Sequence, residues 1–279
     1  MKVPRLPVGG FFEILVDFVR VTFALPFDWI KVILLWVNEQ LVFLLELPPF
    51  WLVAIMVAVI AYFLAGKRVA LFTLAGLLFI AAIDLWPETI ITLSLVIEAT
   101  LLALLIGIPT GILAAKSDIL DRLLHPVLDF MQTMPAFVYL IPAIMIFRMG
   151  AVPAVISTVI FAMPPTIRLT NLAIRQVPKE LVEAGEAFGS NWFQMLLKVE
   201  LPQALPTIMA GVNQCIMLSL SMVVIASMIG AGGLGSVVLN GLSNLDVGLG
   251  FEGGIAVVII AIILDRLTQG TRKEKEIAH

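Results

Sequence analysis

The 279-residue chain holds little of what catalysis and metal binding use. Its one cysteine, Cys215, can form no internal disulfide and no cysteine metal cluster. The two histidines, His125 and His279, lie far apart in sequence. Charged residues make up only 13% of the chain, against about 25% in a soluble domain. The formal net charge is −3, so no bulk positive charge recruits nucleic acid. No G-x-x-x-x-G-K-S/T phosphate loop occurs, which excludes ATP hydrolysis by that route. An ordinary signal peptide is not expected either, because Glu13 and Asp17 interrupt the first apolar stretch and no small-residue cleavage site follows a clean one.

Apolar residues, by contrast, make up 61% of the chain, and the mean hydropathy is +1.08. These values exclude a soluble globular enzyme and a disordered chain, and leave an all-α polytopic membrane protein. A membrane helix needs about 20 mostly apolar residues. Seven segments qualify as candidate spans: Pro49–Ala65, Val69–Trp86, Glu88–Ala115, His125–Phe147, Val152–Thr170, Pro206–Ile229 and Gly250–Leu264. Lys67, Arg68, Lys116, Arg122, Arg168, Arg175, Lys179, Lys198, Arg266, Arg272, Lys273 and Lys275 fall in alternate connections and in the tail, which assigns that side to the cytoplasm. The opposite loops hold only Arg148, and the long connection 230–254, without Lys or Arg, faces out. Lys2, Arg5, Arg20 and Lys31 run against this rule. Residues 29–47 could form an eighth span, but Asn38, Glu39 and Gln40 near the middle favour an interfacial amphipathic helix, with Trp29 and Trp36 at headgroup level and Asp28 as its N-cap. The expected division is an interfacial region over 1–47, two peripheral spans over 48–87, a core over 88–269 and a cytoplasmic tail over 270–279.

One polar island, QVPKELVEAGEAFGSNWFQMLLKVELPQ over 176–203, is too hydrophilic to span. Pro178 suits the first turn of a helix, and Glu180, Glu183 and Glu186 suit its positive N-terminal half. Gly189 can take the left-handed conformation that ends it. Ser190 or Asn191 then caps a second short helix, with Gln194 completing a capping box on Asn191, and Pro202 and Pro206 stop that helix before the next span. Local physics alone slightly favours an ordinary amphipathic loop. The spacing is more specific. Glu183-Ala184-Gly185, three residues, Gly189, nine residues, then Val199-Glu200-Leu201-Pro202 resembles the EAA signature of importer permeases in the ATP-binding-cassette superfamily. That signature reads E-A-A, three residues, G, nine residues, I, one residue, L-P, and the chain departs from it at Gly185 and Val199. Gly185 is expected to loosen the first helix by about 1 kcal/mol relative to Ala.

Further blocks, LDFMQTMPAFVYLIP (128–142), FAMPPTIRLTNLAIRQVP (161–178), LPTIMAGVNQCIMLSLSMVVIASMIGAGGLG (205–235) and IIAIILDRLTQ (259–269), are similar to the permeases of glycine betaine/proline betaine importers, so that the resemblance covers about 88–269. It implies a type I importer permease fold. Two permease copies would surround one path, a pair of ATPase subunits carrying ATP and Mg would bind below, and a betaine-binding protein would deliver substrate from outside. This chain itself would need no cofactor, in the cytoplasmic membrane of a bacterium. Glu183, Ala184, Gly185, Gly189, Val199, Leu201 and Pro202 would belong to the coupling helices that take up the motion of the ATPase. Rival readings are a same-family permease for choline, carnitine or proline, an ion-coupled secondary transporter, and a non-transporting scaffold.

Path residues are less sharply marked. Glu98, the one charge inside the third span, is either a functional carboxylate or a partnered structural one. Gly230, Gly232 and Gly233 of GAGGLG form either a flexible helix end or a non-helical gate lip. Phe137, Tyr139, Met217, Met222 and Met228 could line a path or simply pack, and Asn213, Ser219 and Ser221 could face it or bond between helices. Asp129 and Gln132 are expected to pair with Arg168 or Arg175.

Overall fold

A computed structural model describes the backbone of residues 8–277 and the side chains of residues 9–270. Lys2, Arg5 and the side chains of the polar tail from Thr271 to His279 lie outside the described residues. The described part is helical, with no strand. Its elements are α1 (Val8–Thr22), α2 (Ala24–Glu46), α3 (Phe50–Ala65), α4 (Lys67–Ala82), α5 (Trp86–Lys116), α6 (Asp118–Thr133), α7 (Ala136–Phe147), α8 (Ala151–Arg175), α9 (Lys179–Ala187), α10 (Trp192–Gln194), α11 (Leu201–Ala226), α12 (Leu234–Ser243) and α13 (Val247–Ile277). A π-helical stretch, Met195–Glu200, joins α10 to α11 without a break.

Four stretches are long and apolar enough to cross a bilayer: Trp86–Lys116, Ala151–Arg175, Trp192–Ile229 and Val247–Gly270. The seven expected spans are thus not seven straight helices. α3 and α4, 16 residues each, pair around Gly66, whose φ of 88° lets the chain reverse. At about 1.5 Å per residue each measures about 24 Å, short of a full hydrocarbon core. The expected span His125–Phe147 is broken: α6 and α7 meet at 99°. Pro135 is the cause, since it pushes Met134 out of the helical region to φ −69°, ψ 136°.

The core is the packing of α5 on α8 and of α8 on α11. Small residues allow the backbones to approach. A Cβ at Gly107 would meet Thr166 at 3.2 Å, one at Gly111 would lie 2.7 Å from the Ile167 carbonyl oxygen, and one at Gly211 would meet Leu169 at 3.2 Å.

α2 crosses the bundle as a strap. It bends 96° from α3, packs on α5, α7 and α8, and sets Phe27 against Phe147 at the C-terminal end of α7. The next helix begins with Phe50 on Trp86, at the N-terminal end of α5. Asp28 is not its N-cap, because the helix already starts at Ala24, four residues earlier, with Phe23 at the cap. α1 is the more strongly amphipathic of the two. Phe11, Ile14, Phe18 and Val21 form one exposed stripe at helical spacing, and Asp17 pairs with Arg20 at 3.4 Å.

Candidate functional site

The polar island folds into two short helices at the basic ends of α5, α8 and α11. Pro178 sits one residue earlier than expected, as the N-cap of α9. Gly189, with φ 75°, ends α9 by two bonds: its own N–H donates to the Glu186 carbonyl at 2.9 Å, and that of Ser190 to the Gly185 carbonyl at 3.0 Å. That 5→2 and 6→1 pair is a Schellman ending. Asn191 takes up the next helix. Its Oδ1 accepts from the Gln194 N–H at 2.9 Å, and its own N–H donates to Gln194 Oε1 at 2.9 Å, a complete capping box. The angle between the helices is therefore fixed by local bonds at both ends of a three-residue turn, 189–191.

The second helix does not stop before the span, contrary to expectation. Pro202 falls in the first turn of α11, where its missing N–H matters little, and Pro206 is carried inside the helix. The preceding π-turn (Met195–Glu200) lets the chain run on from Trp192 to Ile229. Displacement at α10 is thus applied directly to α11.

Gly185 also serves close packing. It is buried, and a Cβ there would lie 2.7 Å from Met195 Cε and 3.6 Å from Val199 Cγ2. The Met195 thioether occupies the volume an alanine methyl would use, and clamps α9 to the π-turn. Glu183 and Ala184 are exposed, Val199 is half-buried, and Leu201 packs against the cluster of Ala173, Ile174, Leu196, Ala204 and Ile208. Beyond the predicted residues, Phe188 stands 91% exposed, with Phe193, Trp192 and Leu197 also exposed beside it. Trp192 and Phe193 stack edge to face at 4.8 Å, and exposed aromatics of this kind on a polar segment mark a contact surface. Their sequence signal was the interleaving AFGSNWFQ, apolar rings between turn residues.

α6 is bolted to the same end of α8. Arg168 pairs with Asp129, as expected. Arg175 bonds Asp118 at 2.7 Å, Asn171 at 2.9 Å and the Ala114 carbonyl at 3.0 Å.

The proposed path residues do not form one site. Glu98 is 2% exposed beneath α2; its Oε2 accepts from Asn38 Nδ2 at 3.0 Å, and its Oε1 has no partner. Tyr139 is buried, with its hydroxyl donating to the Met131 carbonyl, while Phe137 is exposed. Gly230, Gly232 and Gly233 have φ of 82°, 81° and 76°, yet the segment is well anchored. The Leu234 N–H donates to Thr92 Oγ1 at 2.8 Å, and a Cβ at Gly233 would lie 2.5 Å from that oxygen. Asn213 bonds Asp265 at 3.1 Å and so ties α11 to α13. Met217 and Ser221 do share a face of α11 that nothing in the chain covers fully. Gln214 and Met228 extend it at helical spacing, and Gln214 escaped the sequence reading because its openness depends on what α8 and α13 leave uncovered. Among the described residues, no three His, Cys, Asp or Glu side chains gather to hold a metal ion.

A glycine-packed core of long apolar helices, with a capped helix pair projecting from its basic end, defines the class as a polytopic α-helical membrane protein. Residues 107–270 match the family described as binding-protein-dependent transport system inner membrane component, and the chain belongs to that family. It is a multi-pass permease subunit of ATP-binding-cassette importers, located in the inner membrane. Among its relatives, the glycine betaine transport system permease protein OpuAB of Bacillus subtilis (strain 168) is 47% identical over 275 residues, covering 99% of this chain and 98% of that one. The glycine betaine/carnitine transport permease protein GbuB of Listeria monocytogenes serotype 1/2a (strain 10403S) is 50% identical over 277 residues, covering 98% of each. Among solved structures, the MetNI methionine ABC transporter in inward-facing conformations aligns with a TM-score of 0.61 at 20% identity, over 66% of this chain and 93% of that one, a likeness of fold.

Proposed function

We propose that this chain is the permease subunit of an ATP-driven importer of glycine betaine and related quaternary-ammonium solutes, working in osmoprotection. The observation that carries the substrate class is end-to-end identity of 47–50% with permeases named for glycine betaine. The α9–α10 pair is the docking point for a separate ATPase, which binds ATP and Mg. Phe188, Phe193 and Trp192 enter an apolar groove on it, and Glu180, Glu183 and Glu186 face its basic rim. Because α10 runs through the π-turn into α11, closure of the ATPase pair is applied to the core helices. Two copies of the chain enclose the path. The open α11 face with Gln214, Met217 and Ser221 looks across it, and its polar and thioether surface suits a passing ammonium without holding it. An extracytoplasmic binding protein supplies substrate at the outer ends, near the anchored glycine segment 230–235.

The test is uptake of labelled glycine betaine into vesicles holding the chain with its ATPase and binding protein, with and without ATP, against carnitine, choline and proline. ATP-dependent uptake competed only by close betaine analogues is expected. ATP-dependent uptake that prefers a competitor moves the substrate and keeps the architecture. Uptake that ignores ATP and follows an ion gradient refutes the reading.

A further inference from the structure

Lys116 is the last residue of α5 and Glu200 the last of the π-turn. Lys116 Nζ donates to Glu200 Oε1 at 2.5 Å across 84 residues of sequence. Glu200 is 4% exposed, while the lysine is about one-third exposed. Among the described residues, this is the only ion pair that joins residues 179–200 to a spanning helix. Burying a carboxylate there is expensive, and an apolar contact of the same volume would do as well for cohesion alone. The surroundings are also not those of a sealed structural pair. Glu200 Oε2 is buried without a partner. Both residues line a cavity of about 360 Å³ whose wall also carries Arg175, Lys179 and Glu183. The pair thus has room to move and further cations within the same cavity, one on α8 and one on α9.

We infer that Lys116–Glu200 is a transmission contact: a pair of positioning residues that makes the end of α5 follow the coupling helices when the ATPase moves them. This inference rests on the ATP-driven reading above. α11 is pulled covalently, through the π-turn. α5 has no covalent link to α9–α10 except the long way round through α6, α7 and α8; beside the apolar cluster that gathers Ile112 and Ala115 with Leu196 and Leu201, the ion pair is its direct polar link to the π-turn. A charge pair suits this role better than apolar packing. Its attraction persists over several ångströms, and the free Glu200 oxygen can accept Lys179 as α9 shifts, so contact is exchanged and not lost.

The experiment uses the reconstituted permease, ATPase and binding protein, and reads solute taken up per ATP hydrolysed. The wild-type complex comes first: no ATP-dependent uptake there refutes the proposed function, and says so independently of the pair. Given coupled wild-type uptake, Glu200→Gln and Lys116→Met should each lower uptake per ATP about tenfold, within the range for coupled sites, while ATP hydrolysis continues. The neutral double variant Lys116→Met/Glu200→Gln should stay uncoupled, and the reversed pair Lys116→Glu/Glu200→Lys should recover most of the ratio. A merely structural pair behaves otherwise, because the neutral double variant relieves the buried charge. Wild-type uptake per ATP in that double variant would overturn the inference. So would a parallel fall of uptake and hydrolysis in every variant. Thermal unfolding of each complex identifies variants that fail to assemble, and the neutral double variant decides the matter if the reversed pair is one of them.

Discussion

Gly189→Val isolates the turn between the coupling helices. Nothing lies within 4 Å of a Cβ built at Gly189, so the larger side chain meets no clash. The whole cost is backbone. At φ 75° an L-residue sits in the left-handed region, at about 1–2 kcal/mol for an ordinary side chain, and a β-branched one lies toward the upper end of the ~1–3 kcal/mol range for strained residues. Taking about 2 kcal/mol, the native turn loses about thirtyfold in population relative to alternatives in which the two Schellman bonds open. The strain acts on exposed residues outside the core, so insertion and the unfolding temperature of the α5–α8–α11 bundle should barely change. Uptake per ATP in reconstituted vesicles should fall several-fold, with ATP hydrolysis uncoupled from it. Gly189→Asn is the matched control. Asparagine fits the same open space and tolerates the left-handed region, so it should keep most of the coupling. Wild-type uptake per ATP in the valine variant would refute the claim that the rigid angle between α9 and α10 carries the motion.

Other outcomes follow from the same geometry. Gly111→Ala brings a methyl to 2.7 Å from the Ile167 backbone oxygen, a cost of about 1–3 kcal/mol. It should lower the unfolding temperature in detergent, whereas Gly254→Ala, with nothing within 4 Å, should not. Gly185→Ala presses only on the flexible Met195 tip, and its gain in helix propensity of about 1 kcal/mol offsets the shift. Near-wild-type uptake is expected for it, and strong loss for Gly185→Leu, which displaces Met195. Asn38→Leu removes the amide that donates to buried Glu98 and should destabilise by about 1–3 kcal/mol. The double variant Asn38→Leu/Glu98→Leu should recover most of that loss in the same thermal assay.

The features legible in the sequence are those set by short-range rules. The left-handed glycine at 189, the Asn191–Gln194 box and the long apolar runs of α5, α8 and α13 each depend on neighbours a few residues away, and each formed as expected. Misreadings arose where a distant residue decides the outcome. Gly185 reads as a weak helix former until Met195 arrives beside it. Pro202 reads as a stop until the π-turn carries the chain past it. Pro135 was visible in a run of apolar residues, but whether proline kinks a span or breaks it by 99° depends on what anchors the preceding helix. Here Asp118 and Asp129 bind Arg175 and Arg168 and hold α6 along the end of α8. α2 starts before Asp28 because Phe27 packs on Phe147, a contact that no local signal announces.

Where the structure is stiff and where it is soft bears on how such a subunit moves. The α5–α8–α11 contacts are glycine against threonine, leucine and backbone, with no volume to spare. Close-packed interfaces of this kind move as bodies and do not deform gradually. On the proposed docking, displacement delivered at α9–α10 would pass along each of these helices with little deformation, and the Lys116–Glu200 pair would keep the end of α5 in step with α11. The adaptable parts lie at its input. They are the Met195 thioether in the Gly185 notch, the six-residue π-turn, and the Lys116–Glu200 pair beside its cavity. If an ATPase docks at α9–α10 as proposed, compliance at the input would let the pair follow its surface, and stiffness beyond would carry that motion through the membrane.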